Sequence, residues 1–379
     1  MSEFLRLGLN PQLQRACDVV GYSLPTPIQE KAIPLLLQGH DVLGIAQTGT
    51  GKTAAYALPI LMRCKYMQGS LPRALILAPT RELVMQIHEV MVGLAQFTDL
   101  RILALYGGLG PKTQIQTLEA GVDILVSTPG RFLELYRKEA IGTKDLKYLI
   151  LDEADKMMDM GFMPQIRQIL EKIPYKKRQN GLFSATFPEK VENLSHEFLE
   201  FPIKIEITRQ ATPANQVTQY VYEAPNLSTK INALAYFLKQ ESFERVMIFC
   251  RSKDVANQVE KYLIRKVVPE DQVRAIHSNK GQNTRINSMQ LFREGAIRVL
   301  VTTDVAARGI DIPKVSHVIN FDVPLIYEDY VHRIGRTGRA DQVGESITFI
   351  TLAEQYHWNK IEEIIQQTID IQQLPEGID

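Results

Sequence analysis

The run Ala46-Gln47-Thr48-Gly49-Thr50-Gly51-Lys52-Thr53 has the residue types and spacing to bind a triphosphate. Gly49 and Gly51 let the backbone wrap an anion with its amide hydrogens turned inward. Lys52 is placed to reach the β- and γ-phosphates, and Thr53 to offer its hydroxyl to Mg²⁺. Residues 41–46 read as a short apolar strand and those from Thr53 onward as a helix, so the loop falls where a helix N-terminus favours negative charge. The usual pattern opens with Gly, whereas this one opens with Ala46.

A second group of chemical residues follows Leu149-Ile150-Leu151, an apolar strand that runs straight into Asp152-Glu153-Ala154-Asp155. An isolated acidic pair there reads as a solvated turn that starts a helix. With Lys52 upstream, Asp152 is expected to hold Mg²⁺, partly through water, and Glu153 to act as general base or to orient a water. Farther on, Arg333, Arg336 and Arg339 recur at a spacing of three, on one face of a short helix or turn, which suits bidentate anion contact. A surface basic patch or a nucleic-acid contact is the alternative reading of that cluster.

Strands must carry these groups. Apolar runs at 74–78, 101–105, 123–126, 148–151 and 181–183 alternate with helix-period segments such as 81–94 and 191–199. The second half repeats the alternation, with runs at 245–249, 272–276, 297–301, 315–319 and 345–350. Alternation of this kind predicts an α/β fold with parallel sheets flanked by helices. At 379 residues the chain suits two domains. The polar, aperiodic stretch around Pro213 marks the linker, which gives domains 1–207 and 218–379 joined by 208–217. Residues 358–369 have helical apolar spacing and read as core packing.

The composition is that of an ordinary water-exposed protein, 45% hydrophobic and 23% charged. Lys+Arg and Asp+Glu are both 43, so the net charge does not itself point to a polyanion, nor does it exclude one, because local basic patches can sit on a neutral whole. Cys17, Cys64 and Cys250 are scattered with no metal-ligand spacing, as in a reduced, cytoplasmic-type compartment. No stretch is apolar enough to span a bilayer and the start lacks a secretory pattern, so no membrane association is expected.

Asp152-Glu153-Ala154-Asp155, together with a phosphate loop that opens on Ala46, resembles the DEAD-box family of ATP-dependent RNA helicases, whose loop begins with Ala. The resemblance covers essentially the whole chain. It implies two tandem RecA-like domains, ATP and Mg²⁺ as cofactors, and RNA as partner. Gly21-Tyr22-Ser23-Leu24-Pro25-Thr26-Pro27-Ile28-Gln29, with Phe4 upstream, is similar to the family's Q motif. A Gln amide can pair with N6 and N7 of adenine, and an aromatic such as Phe4 can stack on the base, which implies ATP over GTP. His332-Arg333-Ile334-Gly335-Arg336-Thr337-Gly338-Arg339 resembles the motif whose arginines, here Arg336 and Arg339, act as arginine fingers. Arg333 contacts nucleic acid or holds structure. In Thr302-Thr303-Asp304-Val305-Ala306-Ala307-Arg308-Gly309-Ile310-Asp311, the resemblance gives Asp311 the ribose and Arg308 a bridge to the acidic strand end. Ser184 and Thr186, otherwise capping residues, link the nucleotide site to strand separation in the family, and His332 is grouped with these coupling residues.

Pro79, Arg81, Gly108, Thr128 and Arg131 sit at helix starts or tight turns after strands, where amides, hydroxyls and guanidinium groups suit phosphate contact. Each motif alone is an ordinary helix cap, and together they suggest a nucleic-acid face. By resemblance Arg251, Gln282, Arg285 and Thr303 serve in the second domain. Contact is expected to the sugar-phosphate backbone, with low sequence specificity. The function so implied is an RNA-dependent ATPase that unwinds short duplexes or remodels RNA–protein complexes by closing two domains over ATP and RNA. The rivals are an ATP-gated RNA clamp and an ATPase acting on DNA or protein. The wording of 155–164 looks most like bacterial short-core members, which favours a monomer active in ribosome assembly, RNA decay or cold adaptation.

Overall fold

Four-residue strands rich in Leu, Ile, Val and Ala cannot stay in water, and a parallel sheet covered on both faces buries them. The structure, a computed structural model, describes residues 3–47, 49–108, 110–174, 178–207, 217–277, 279–304, 315–338 and 344–378, without the side chains of Gln282, Asn283 and Glu328. It divides into two units, Met1–Thr208 and Arg209–Asp379.

The first unit contains β1 (Val42–Ile45), β2 (Ala74–Leu77), β3 (Ile102–Leu105), β4 (Ile124–Ser127), β5 (Tyr148–Leu151), β6 (Gln179–Ser184) and β7 (Ile203–Glu206). They form one sheet in the order β3-β4-β2-β5-β6-β1-β7, and every pair is parallel. Alternate residues feed two cores. Val42, Ile76, Val126, Ile150 and Phe183 pack on one face, while Leu43, Leu75, Leu125, Leu149 and Leu182 pack on the other. The second unit contains β8 (Val217–Glu223), β9 (Val246–Phe249), β10 (Val273–Ile276), β11 (Val299–Thr302), β12 (His317–Asn320), β13 (Gly344–Ile350) and β14 (Ile371–Gln372). Its order is β10-β11-β9-β12-β13-β8-β14, again parallel throughout.

β7 and β8 were not among the expected strands. Both are half-polar: β7 alternates Ile203-Lys204-Ile205-Glu206, and β8 carries Thr218, Gln219 and Glu223. Val217, expected in the linker, opens β8, and residues 208–216 lie outside the described residues. Trp358, Ile361 and Ile365 are core, as their spacing indicates.

Two buried aspartates staple the strand starts of the first sheet. Asp41, just before β1, accepts from Asn180 N at 2.8 Å, Asn180 Nδ2 at 3.0 Å and Glu200 N at 2.9 Å, tying together the approaches to β1, β6 and β7. Asp123, just before β4, accepts from Arg73 Nη2 at 2.7 Å, Arg101 Nε at 2.9 Å and the amides of Gln68 and Arg101 at 3.0 Å. Burial alone would push the Asp123 carboxyl up, but the bonds from Arg101, Gln68 and Arg73 hold it below the ordinary carboxylate range. Its contribution to stability is therefore complete above the unfolded-state value and is lost as pH falls through the folded one. Asp123→Asn should lower the unfolding free energy of the first unit by about 3 kcal/mol, because two guanidinium groups lose their buried partner. In urea titrations the gap between parent and variant should shrink as the pH is taken below the carboxylate range.

Candidate functional site

The strand starts are stapled, so the chemistry lies at the other edge, where each strand delivers a loop. The edge has two halves, set by strand order.

On the β5-β6-β1 half, β1 leads into the phosphate loop and β5 into the acids, with β6 between them. Ile45 pairs with Ser184, and Leu151 with Leu182. Two strand spacings of roughly 5 Å thus separate loop from acids. Gly49 and Gly51 take left-handed φ values of +82° and +88°, as the wrapped loop requires. Thr50 Oγ1 donates to Gln47 O at 2.7 Å and tightens the turn. Lys52, buried at the start of the helix Lys52–Cys64, donates its ammonium to Ala46 O across the loop. Gln29 is also buried. Its Oε1 accepts from Thr26 N at 3.0 Å and its Nε2 donates to Gly51 O at 3.1 Å, which ties the Gln29 helix to the loop.

Asp152 is buried, and its carboxylate has two donors: Tyr56 Oη at 2.7 Å and Glu153 N at 2.9 Å. Burial raises its pKa, while Lys52 and the Tyr56 bond work against that rise. The Tyr56 phenol is driven well up by its own burial and by Asp152. Glu153 stands at φ +51°, a left-handed backbone uncommon outside Gly, Asn and Asp. Such strain is held only when the surroundings over-determine it. Asp155 lies one helical step on. Its Oδ2 accepts from Thr186 N at 3.0 Å and Thr186 Oγ1 at 2.8 Å, and its own amide donates to Ser184 Oγ at 3.2 Å. The hydroxyls after β6 are thus latched to the acidic turn after β5.

On the β3-β4-β2 half, the candidate phosphate-contact residues converge. The Arg81 guanidinium lies over Gly108, where an added Cβ would meet Arg81 Nη1 at 2.1 Å; Gly108 has φ +94°. Arg131 Nε donates to Tyr106 O at 3.1 Å and Nη1 pairs with Glu134 at 2.7 Å. Thr128 N donates to Leu105 O at 3.1 Å, and Pro79 is buried at the end of β2.

In the second unit, Arg251 follows β9. Its amide donates to Asp322 Oδ2 at 2.9 Å and its guanidinium pairs with Glu354, which also takes Lys230 at 3.1 Å. Thr303 follows β11, and Arg285 lies in the first turn of the helix Gln282–Glu294. Arg333 resolves as structural. It is buried, bidentate to Asp304 at 2.6 and 2.7 Å, and donates to Asp322 O at 2.6 Å. Arg336 Nε donates to His332 O at 3.2 Å. Thr48, Arg308, Asp311, Arg339 and the side chain of Gln282 lie outside the described residues.

Residues 26–194 match the DEAD/DEAH box helicase family and residues 229–341 the helicase conserved C-terminal domain. The chain is 41% identical to the ATP-dependent RNA helicase RhlB of Pseudomonas syringae pv. tomato, over 99% of its own length and 95% of that protein's. The chain belongs to the DEAD-box helicase family. Among solved structures it is similar to Saccharomyces cerevisiae Dbp5 bound to RNA and ADP BeF3, with 30% identity, a TM-score of 0.86, and coverage of 100% of this chain and 96% of that one. It is also similar to the DEAD-box helicase Mss116 bound to ssRNA and UDP-BeF, with 26% identity, a TM-score of 0.89, and coverage of 99% and 80%. The fold is accordingly that of tandem RecA-like domains.

One expectation for this DEAD-box chain needs correcting. Phe4 is fully buried among Leu9, Leu13 and Ile28, so its faces are taken by the core. The ring stacked on it, at 6.3 Å between centroids, is the half-buried Tyr22. Tyr22 stands seven residues before Gln29, within the run already singled out, and an aromatic so close to Gln29 was the available signal. Tyr56 and Asp155 were also missed as site residues, because their partners come from other strands.

The site fits ATP and Mg²⁺. Gly51 leaves no room for a Cβ, which would meet Gln29 Nε2 at 2.3 Å, and the buried Gln47 Oε1 has no partner among the described residues. No group of three or more His, Cys, Asp or Glu able to hold a metal occurs among the described residues. Mg²⁺ needs only one or two protein oxygens beside phosphate and water, which Thr53 and Asp152 can supply. Gly51→Ala should weaken binding of a fluorescent ATP analogue on the order of 10-fold or more, since it combines a strained left-handed backbone with a displaced Gln29. Analogue titration checks this.

Proposed function

We propose that this DEAD-box chain is an RNA-dependent ATPase and ATP-dependent RNA helicase that separates short duplexes or remodels RNA–protein complexes. The observation that carries this reading is the divided sheet edge of the first unit. A phosphate loop with a buried carboxylate occupies one half, and the Arg81–Gly108 and Thr128–Arg131 loops occupy the other.

In the proposed cycle the loop amides of residues 47–51 and Lys52 hold the phosphates of ATP, and Tyr22 stacks on the base. Gln29 connects the base side to the loop through Gly51. Thr53 and Asp152 would hold Mg²⁺, partly through water, and the ion would supply neutralisation of charge on the phosphate oxygens. Glu153 takes a proton from the attacking water. Ser184 and Thr186, latched to Asp155, move with the acidic turn and carry its state to the RNA loops. Arg336 and Arg339 of the second unit complete the site as arginine fingers, Asp311 takes the ribose, and Arg308 and His332 couple the units. RNA runs along Pro79, Arg81, Gly108, Thr128 and Arg131, and along Arg251, Gln282, Arg285 and Thr303. ATP and single-stranded RNA each favour the closed arrangement, so each raises affinity for the other. Contacts to the sugar-phosphate backbone alone give low sequence specificity.

The three free thiols, all buried, support a reducing, cytoplasmic setting, and no described helix is long and apolar enough to cross a membrane. Structured RNA in ribosome assembly or RNA decay offers short duplexes of the required kind.

The primary test is ATP turnover with and without single-stranded RNA; equal rates would remove the coupling. Glu153→Gln should retain analogue and RNA binding while turnover falls by about 10²- to 10⁴-fold, the usual contribution of a positioned base. Tyr22→Ala should raise the KM for ATP by about 10-fold, from the loss of one base–aromatic stack. Steady-state kinetics that left KM unchanged in Tyr22→Ala would return the stacking role to another residue.

A further inference from the structure

The phenol of Tyr56 has no role in the proposed cycle, yet it is bonded to Asp152 and shares a helix with Thr53, the two residues assigned to Mg²⁺. Its Oη donates to Asp152 Oδ2 at 2.7 Å. Thr53 lies one helical turn before it, on the same helix Lys52–Cys64. The ring has no solvent exposure and packs on Phe183 with centroids 5.1 Å apart.

A carboxylate on a strand end can rotate about its Cα–Cβ and Cβ–Cγ bonds. At Asp152 the neighbouring amide of Glu153 secures Oδ1 at 2.9 Å, which alone leaves Oδ2 free to swing. Tyr56 secures Oδ2 from the opposite side of the sheet gap, across 96 residues of sequence. An ionised carboxylate oxygen can accept more than one bond, so the phenol orients Oδ2 and leaves a lone pair for a metal-bound water. Because the helix carrying Tyr56 begins at Lys52, the same bond fixes the distance between the phosphate loop and the acidic strand end.

We propose that Tyr56 is a positioning residue for Mg²⁺, whose hydroxyl orients Asp152 and holds it against the helix that carries Thr53. The inference rests on the reading of Thr53 and Asp152 as the Mg²⁺ side of the ATP site.

The test compares the affinity of a non-hydrolysable ATP analogue in Mg²⁺ with its affinity in EDTA. The ratio measures how strongly metal and nucleotide support each other, and it needs no turnover. Tyr56→Phe keeps the ring and its packing on Phe183. It should leave the EDTA affinity within about 2-fold and lower the Mg²⁺/EDTA ratio by about 10-fold, the lower end of what loss of an outer-shell partner costs in metal affinity. A Tyr56→Phe ratio equal to the parent's overturns the proposal. Asp152→Asn should collapse the ratio. If it does not, the Mg²⁺ reading fails, whereas a collapse in Asp152→Asn with no change in Tyr56→Phe removes only the role of Tyr56. Incorporating 3-fluorotyrosine at position 56, which retains ring and donor, should keep the parent ratio; a fall to the Phe level would show that the hydroxyl bond is not the cause.

Discussion

Every strand in each sheet points the same way, and the rest of the molecule follows from that constraint. Parallel strands cannot be joined by tight hairpins, so each must be followed by a crossover. All crossovers begin at the same edge, and that edge gathers loops from distant parts of the sequence. In the first unit it gathers residues near 29, 50, 80, 107, 130, 153 and 185. The opposite edge is closed by Asp41 and Asp123, each of which ties three strand starts through buried hydrogen bonds. One edge is rigid and the other is left for ligands.

Strand order then decides which loops are neighbours. β6 lies between β1 and β5, so the Ser184–Thr186 loop falls between phosphate loop and acids and can latch Asp155. β4 lies between β3 and β2, so Arg81, Gly108 and Arg131 share one neighbourhood. The two halves of the edge meet at the β2–β5 pair, where Asp152 N donates to Leu77 O at 2.9 Å.

The second unit repeats the logic with buried ion pairs. Arg333 is held by Asp304 and by Asn320 and Asp322 at the C-terminal end of β12, and it lies over the Phe249 ring at 5.2 Å. Lys230, Asp322 and Glu354 surround the base of Arg251. Removing one member of such a group leaves an uncompensated buried charge, which costs far more than the group contributes to net stability. These networks fix geometry at the end of β9 and β11, where the candidate RNA contacts stand.

The amino-acid sequence by itself determined the parallel α/β architecture, because short wholly apolar runs between helix-period segments have no other stable arrangement. It also determined the local chemistry of Gly49, Gly51, Lys52, Asp152 and Glu153, because loop, strand end and helix start are contiguous in the chain. It left β7 and β8 unseen, since half-polar strands lack the continuous apolar signal of the others. It pointed to Phe4 as the stacking ring, since a linear pattern does not show which aromatic the core buries; the structure buries Phe4 and leaves Tyr22 half-buried against it. Only the tertiary structure decided the partners of Tyr56, Asp155 and Arg333. Each is defined by a partner on another strand, and strand order, which brings them within hydrogen-bond reach, is set by the packing of whole sheets rather than by any local stretch of residues.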